Sequence, residues 1–281
     1  MATEGIITYS GNCHCGRYRF EIDAQEITGA ITCDCAMCAK KGYLWIIPEK
    51  NAFRVLRDDN RLTEFQSTSL RDKFCNYCGT GLISEHTRGP MSGKFAVNIR
   101  AIQNVNPFKL EPNLVMKPTN EQKRDFASLA KLHMSEPRGQ ETASCYCGKV
   151  RAELLFSLSE QEMKEDNCSS CVRTAYIGVY PTRDQVRILG RKDTFEYIHG
   201  KRYSGVSHCK DCGVYVFKNI YGPDPSVFDK LAPERRAVVL EIYHKNMALQ
   251  PVNARTIEGL DLKSIKVERS DSGTDGYVLD D

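Results

Sequence analysis

The stretch Cys33-Asp34-Cys35-Ala36-Met37-Cys38 places three thiols within six residues. Upstream lies a second cluster, Cys13-His14-Cys15, and downstream a third, Cys75-Asn76-Tyr77-Cys78. The seven cysteines divide into four plus three. Four thiolates fill the tetrahedral coordination of zinc, whereas three leave one position open for another ligand. This division sets both the fold and the function that the sequence predicts.

The two outer clusters predict a structural zinc site. A C-x-C and a C-x-x-C motif about 60 residues apart can clamp one ion between two chain segments. The alternative is a set of buried free cysteines. The predicted ligands are Cys13, Cys15, Cys75 and Cys78.

The central triplet predicts a zinc site with one open position, and with it the catalytic residues, Cys33, Cys35 and Cys38. Such a centre is a weak Lewis acid that suits holding an incoming thiol as a thiolate. Three alternatives stay open: a fourth ligand such as His86, no metal at all, or an iron–sulfur cluster.

An internal repeat accompanies these motifs. The C-x-C-G motif occurs twice, as Gly11-Asn12-Cys13-His14-Cys15-Gly16 and as Ala143-Ser144-Cys145-Tyr146-Cys147-Gly148. The C-x-x-C-G motif also occurs twice, as Cys75-Asn76-Tyr77-Cys78-Gly79 and as Cys209-Lys210-Asp211-Cys212-Gly213. The two landmarks keep their order, which indicates two copies of one unit.

The second copy keeps the structural ligands and alters the triplet. Its predicted zinc site is Cys145, Cys147, Cys209 and Cys212. Aligning Cys168 with Cys35 and Cys171 with Cys38 puts Asp166 where Cys33 stands. A carboxylate can bind zinc, so this second centre is either an Asp-Cys-Cys metal site or a triplet that has lost its metal.

Alternating β-type segments predict a mainly β fold with antiparallel sheets in each copy. The predicted organisation is a first zinc domain over 1–110, a helical linker over 111–140, a second zinc domain over 141–270 with a helical insertion at about 222–250, and a tail over 271–281. The linker helix is predicted over 119–135, and the polar segment from Glu268 onward is expected to be loosely ordered.

The composition excludes some classes of protein. The chain has 281 residues with a net charge of +3, which gives no electrostatic argument for nucleic-acid binding. No run of about 18 apolar residues and no signal peptide is evident, so a cytosolic or nuclear location is expected. Thirteen cysteines in a reducing compartment indicate metal rather than disulfides.

The order of the three motifs resembles the glutathione-dependent formaldehyde-activating enzyme family, which includes centromere protein V. The match covers residues 9–106 well and 141–266 more loosely. The resemblance implies a β-tent fold, a four-cysteine structural zinc, a three-cysteine zinc near the active site, and carbon–sulfur lyase chemistry on glutathione and an aldehyde.

The leading hypothesis is therefore a zinc-dependent carbon–sulfur lyase, acting on a glutathione adduct of an aldehyde or another electrophile. The sequence identifies no general acid or base for it. Two alternatives are a non-catalytic zinc module for protein interaction or chromatin, and a zinc enzyme that works without glutathione. The partner expected is a small molecule rather than a membrane or nucleic acid, and the oligomeric state is not predicted.

Overall fold

The protein, as a computed structural model, is described over residues 5–49, 51–117 and 141–274 together with 277 and 279. This part of the chain is mainly β and holds two similar units, which confirms the predicted fold class. The predicted linker helix over 119–135 lies outside the described residues. The domain boundaries stay predictions.

The first unit contains ten strands in two sheets. They are β1 (Ile7–Asn12), β2 (Tyr18–Ala24), β3 (Gly29–Cys33), β4 (Trp45–Ile46), β5 (Phe53–Asp58), β6 (Leu62–Gln66), β7 (Leu70–Cys75), β8 (Gly81–His86), β9 (Phe95–Asn98) and β10 (Glu111–Met116). A three-stranded sheet has the order β1-β2-β5, and a seven-stranded sheet the order β10-β3-β4-β9-β8-β7-β6.

The second unit repeats this topology strand for strand. Its strands are β11 (Glu141–Ser144), β12 (Arg151–Leu154), β13 (Met163–Asp166), β14 (Ile177–Val179), β15 (Val186–Leu189), β16 (Thr194–Ile198), β17 (Ser204–Cys209), β18 (Tyr215–Ile220), β19 (Val252–Asn253) and β20 (Val267–Ser270). The sheet orders are β11-β12-β15 and β16-β17-β18-β19-β14-β13-β20. The repeat predicted from the cysteine motifs therefore extends to the strand order.

The large sheets are mixed, whereas the sequence predicts antiparallel sheets. In each, the last strand of the unit returns to the edge and pairs in parallel, β10 with β3 and β20 with β13. The tail prediction is wrong over Glu268–Ser270, because these residues belong to β20 and pair with Lys164–Asp166. A polar strand is sufficient at this edge because the main-chain hydrogen bonds of its neighbour fix it.

Three helices occur in the described part of the chain, α1 (Ala36–Lys41), α2 (Ser169–Thr174) and α3 (Pro233–Met247). The first two are short equivalents that begin directly after Cys35 and Cys168. The third confirms the helical insertion. Pro233 starts this helix, since proline is well tolerated in the first turn. None of the described helices combines the length and the apolar composition needed to cross a bilayer.

The two units pack through equivalent residues. Phe74 stands directly before Cys75, and its ring lies against Gly213; a Cβ at that glycine would lie 2.6 Å from it. In the same way His208 stands directly before Cys209, and its ring lies against Gly79, where a Cβ would lie 2.1 Å from it. The glycines are therefore required by close approach between the units as well as by their positive φ.

Charged side chains reinforce this junction. Lys40 of α1 donates to the Ser144 carbonyl at 3.0 Å and to Glu258 at 2.8 Å. Arg173 of α2 donates to the Asn12 carbonyl at 3.1 Å. Since Asn12 and Ser144 are equivalent, each short helix holds the first strand of the other unit.

A buried ion pair lies at the same junction. Lys41 Nζ is 2.5 Å from Asp72 Oδ2, and the side chains are 5% and 0% exposed. Asp72 Oδ1 also accepts hydrogen bonds from Tyr43 at 2.6 Å and Ser84 at 3.1 Å. The carboxylate thus has a counter-charge and two donors, which is what a fully buried charge needs.

Candidate metal centres at the junction of two repeats

All thirteen cysteines fall into four clusters. In each cluster the ligand atoms lie within 4.8 Å of one another: Cys13, Cys15, Cys75 and Cys78; Cys145, Cys147, Cys209 and Cys212; Cys33, Cys35 and Cys38; and Asp166, Cys168 and Cys171. Every cysteine is a free thiol. The structure thus brings together each group of residues that the sequence motifs predict as a ligand set, and their roles as ligands remain predictions.

The first four-cysteine cluster has the spacing of a tetrahedral zinc site. Cys13 Sγ is 3.4 Å from Cys15 Sγ, which is 3.7 Å from Cys75 Sγ. Zinc–sulfur bonds of about 2.3 Å in a tetrahedron separate sulfurs by about 3.8 Å. Four thiols fill all four positions of a tetrahedral ion, so these residues fit a structural zinc.

Local contacts hold this cluster in shape. The Tyr18 amide donates to Cys13 Sγ at 3.3 Å, and the Cys78 and Thr80 side chains lie 3.3 Å apart. Contact with Cys15 and the other two thiols, together with burial, raises the pKa of Cys13, while hydrogen bonding to Cys13 lowers the pKa of Cys75. The pKa values of the four thiols therefore diverge, as expected where several thiols lie in contact at a site suited to thiolates.

The second four-cysteine cluster has the same geometry. Cys147 Sγ is 3.6 Å from both Cys145 Sγ and Cys209 Sγ, and the Val150 amide donates to Cys145 at 3.3 Å. Val150 occupies the position of Tyr18 in the repeat. The two clusters are equivalent and fit the same ion.

The triplet cluster forms where β3 ends and α1 begins. Cys33 is the last residue of β3, Cys35 precedes the helix, and Cys38 lies in its first turn. Cys35 and Cys38 are buried, whereas Cys33 is partly exposed. Cys33 is therefore the sulfur of this cluster that faces an approaching molecule.

The electrostatics of the triplet favour negative charge on Cys33. Hydrogen bonds from the Cys35 and Cys38 thiols lower the pKa of Cys33 to about 3. The same contact with Cys33 raises the pKa of Cys35 to about 12, and burial raises that of Cys38. Trp45 Nε1 donates to Cys38 Sγ at 3.4 Å, so the innermost sulfur is held by the indole. Three sulfurs and one open position fit a metal that exchanges a ligand.

His86 lies beside this cluster but is not part of it. Its ring packs edge-on against Trp45 with centroids 5.6 Å apart, and its Nε2 is buried without a hydrogen-bond partner among the described residues. Burial lowers the pKa of His86, and the nearby charge of Cys33 raises it. A close group of ligand atoms including His86 is not found in the described chain, so a role as fourth ligand is not supported.

The altered triplet of the second unit occupies the equivalent place. Asp166 ends β13, Cys168 precedes α2, and Cys171 lies in that helix. A hydrogen bond from Cys171 lowers the pKa of Cys168 to about 7. Asp166 Oδ1 accepts from the amides of Asn167 at 2.8 Å and Ser272 at 3.3 Å, which fixes the carboxylate next to the sulfurs.

The middle residue of each C-x-C motif crosses to the other unit. His14 Nδ1 is 2.7 Å from the Tyr197 hydroxyl, and its Nε2 is 3.2 Å from Ser169 Oγ. Correspondingly, Tyr146 bonds Thr68 at 3.1 Å and packs on Phe65 at 5.8 Å. No role for Tyr146 was predicted from the sequence. The repeat shows that His14 and Tyr146 hold equivalent positions. It does not indicate that each of these side chains contacts the other unit.

Comparison with a family model covers the first unit. The family model described as "Glutathione-dependent formaldehyde-activating enzyme" matches residues 8–116. A crystal structure of a Rhodobacter sphaeroides protein is 20% identical, covers 46% of this chain and 99% of its own, and superposes with a TM-score of 0.33.

Proposed function

We propose, because residues 8–116 belong to the glutathione-dependent formaldehyde-activating enzyme family, that this chain is a zinc-dependent carbon–sulfur lyase. Its substrate is a glutathione adduct of an aldehyde or another electrophile. The observation that carries the proposal is the triplet of Cys33, Cys35 and Cys38, whose three sulfurs lie within 4.8 Å of one another and leave a tetrahedral metal one ligand short.

Zinc fits the donor sets of the chain. The two four-cysteine clusters would hold it as structural ions, and the triplet would hold it beside the substrate. Bound at the triplet, zinc would supply a position at which an incoming thiol stays deprotonated and nucleophilic at neutral pH. Thirteen reduced cysteines also support the cytosol as the compartment.

The residues around the triplet prepare the site in two ways. Trp45, Met91 and Met116 are buried in the same apolar cluster as Cys35 and Cys38, which keeps water from the inner sulfurs. The backbone of Asp34 donates to the Met116 carbonyl at 2.9 Å, so the loop between the first two cysteines is tied to β10. The sulfurs therefore keep their positions when a substrate arrives.

His86 supplies the proton transfer. When the carbon–sulfur bond forms, the sulfur electron pair attacks the aldehyde carbon, and the carbonyl oxygen gains a proton. In the reverse direction the hydroxyl loses that proton, the carbon–sulfur bond breaks, and its electron pair returns to sulfur. The buried Nε2 of His86, which has no partner among the described residues, is the atom through which this proton passes.

The test is the turnover of a glutathione–formaldehyde adduct by Cys35→Ser. We expect a loss of about a hundredfold or more, because this change removes a ligand from the open site. Asp34→Asn is the matched control, since the Asp34 side chain is exposed between the same two cysteines. Full activity in folded Cys35→Ser would reject the triplet as the catalytic centre, and a wild-type chain without turnover would favour a non-catalytic zinc module.

A further inference from the structure

The altered triplet of the second unit lies beside a cavity that both units build. The cavity measures about 650 Å³ and is lined by Cys168 together with His14 and Tyr77 of the first unit and Tyr197 and His199 of the second. The cavity gives the cluster of Asp166, Cys168 and Cys171 access for a small molecule.

Two histidine side chains contact the first turn of α2, next to the sulfurs. Ser169 and Ser170 are the residues between Cys168 and Cys171. His14 Nε2 lies 3.2 Å from Ser169 Oγ, and His199 Nε2 lies 3.2 Å from Ser170 Oγ. One histidine comes from each unit, so the junction of the units positions the first turn of α2, which lies between Cys168 and Cys171.

The corresponding position in the first unit carries a side chain that contacts the other unit. There the Tyr146 hydroxyl donates a hydrogen bond to Thr68 Oγ1 at 3.1 Å. The same hydroxyl oxygen accepts one from the Thr68 amide, also at 3.1 Å. Thr68 is the second residue after β6, and the second residue after the equivalent strand β16 is Gly200. A Cβ built there would have no atom within 4 Å. The second unit therefore has no side chain at the position that Thr68 holds in the first.

The surroundings of the sulfurs also differ. Lys218 lies directly opposite Val206 in the β17–β18 ladder, and the cluster of Val206, Tyr176 and Tyr215 packs against Cys171. Opposed residues of a ladder share a face, so the Lys218 side chain is directed toward Cys171. In the first unit the same pair of positions holds Ser84 and Asp72. The second centre thus combines two sulfurs and a carboxylate with a neighbouring cation.

We propose that Asp166, Cys168 and Cys171 form a second open zinc site, whose fourth position faces the shared cavity and takes a small oxygen-donor ligand. A carboxylate in place of one thiolate makes the donor set harder, and harder sites favour oxygen over sulfur ligands. The Lys218 cation favours an anionic ligand such as a small carboxylate. This assignment is independent of the carbon–sulfur chemistry proposed for the first unit.

Zinc content tests the ligand set. After exhaustive dialysis, we expect four zinc ions in each wild-type chain, three in Asp166→Ala and in Cys168→Ser, and four in Asp166→Cys. Asp34→Asn should also keep four. An unchanged zinc content in Asp166→Ala or in Cys168→Ser, relative to the wild-type chain, would overturn the proposal. A cooperative melting curve for Asp166→Ala, whose side chain is only partly buried, separates ligand loss from misfolding.

Acetate binding tests the open position. In the cobalt-substituted protein, acetate should shift the visible absorption bands, and Cys168→Ser should lose this shift. Cys33→Ser should retain it even though it removes the first centre, so failure of the lyase proposal and failure of this one are distinguishable. No shift in the wild-type protein, or an unchanged shift in Cys168→Ser, would contradict the assignment.

Discussion

The imidazole of His14 and the phenol of Tyr197 meet across the junction of the two units, with Nδ1 2.7 Å from the hydroxyl oxygen. His14 stands between Cys13 and Cys15 of the first unit, and Tyr197 lines the same cavity as Cys168 of the second. Tyr146 makes the reciprocal contact with Thr68. Each three-residue centre therefore has part of its surroundings supplied by the other unit, and the packing of the units becomes a condition for both sites.

Gly79→Ala should reveal the importance of this packing. The change forces a residue with a Cβ into a left-handed backbone, which costs about 1 kcal/mol. It also places the Cβ 2.1 Å from the His208 ring, and such overpacking costs about 1–3 kcal/mol more. Gly16→Ala is the control, because Gly16 has a similar φ in the same cluster but contacts only flexible side-chain ends. Equal destabilisation of the two variants in urea unfolding would contradict the close junction.

Asp72→Asn should destabilise the protein by about 3 kcal/mol or more. The amide still accepts from Tyr43 and Ser84 but leaves Lys41 as a buried charge without its counter-ion. Adding Lys41→Met should restore most of this loss in chemical unfolding. Glu64→Gln is the control, since the exposed pair with Lys73 should contribute less than about 1 kcal/mol. A small effect of Asp72→Asn would show that water reaches the pair.

Cys78→Ser and Cys33→Ser should differ in thermal unfolding, although each removes one zinc ion. The first breaks a closed structural site, and the free energy of binding such an ion is on the order of 10 kcal/mol. We expect loss of cooperative thermal unfolding in Cys78→Ser and its retention in Cys33→Ser, measured by circular dichroism beside the metal content. Similar melting curves would contradict the division into structural and reactive centres.

His86→Gln should lower the turnover of the glutathione–formaldehyde adduct by about 10²–10⁴-fold, the range typical of a lost general acid or base. The zinc content should not change, because His86 is not among the close ligand groups. His244→Gln on the exposed face of α3 is the control. Loss of a zinc ion in His86→Gln would instead make His86 a ligand.

Much of the fold could be predicted from the sequence because the repeated landmarks are local. Spacing within C-x-C and C-x-x-C motifs fixes which sulfurs can meet, and a short β-type segment such as Leu62–Gln66 predicts a strand, which the structure has with the same bounds. The parallel pairing of β10 with β3 joins segments about 80 residues apart and depends on where the chain returns. No local pattern contains that information.

The surroundings of the sites were harder to predict for the same reason. His14 and Tyr146 stand next to cysteines in the sequence, yet the hydroxyl groups that they contact lie in the opposite unit. His86 was identifiable only as a possible ligand, since its buried Nε2 becomes evident only when Trp45 and β8 are packed together. Contacts between the units follow from the shape of whole surfaces and not from spacing along the chain.

A metal held by Cys33, Cys35 and Cys38 with one position open to a thiol is the basis of the proposed function. The absorption of the cobalt-substituted protein, followed while glutathione is added, detects such a position without relying on turnover. We predict an increase in the sulfur-to-cobalt charge-transfer band in the wild-type protein and in Asp34→Asn, and none in Cys35→Ser. An unchanged band in the wild-type protein, or an equal increase in Cys35→Ser, would show that no open thiol position exists at the triplet.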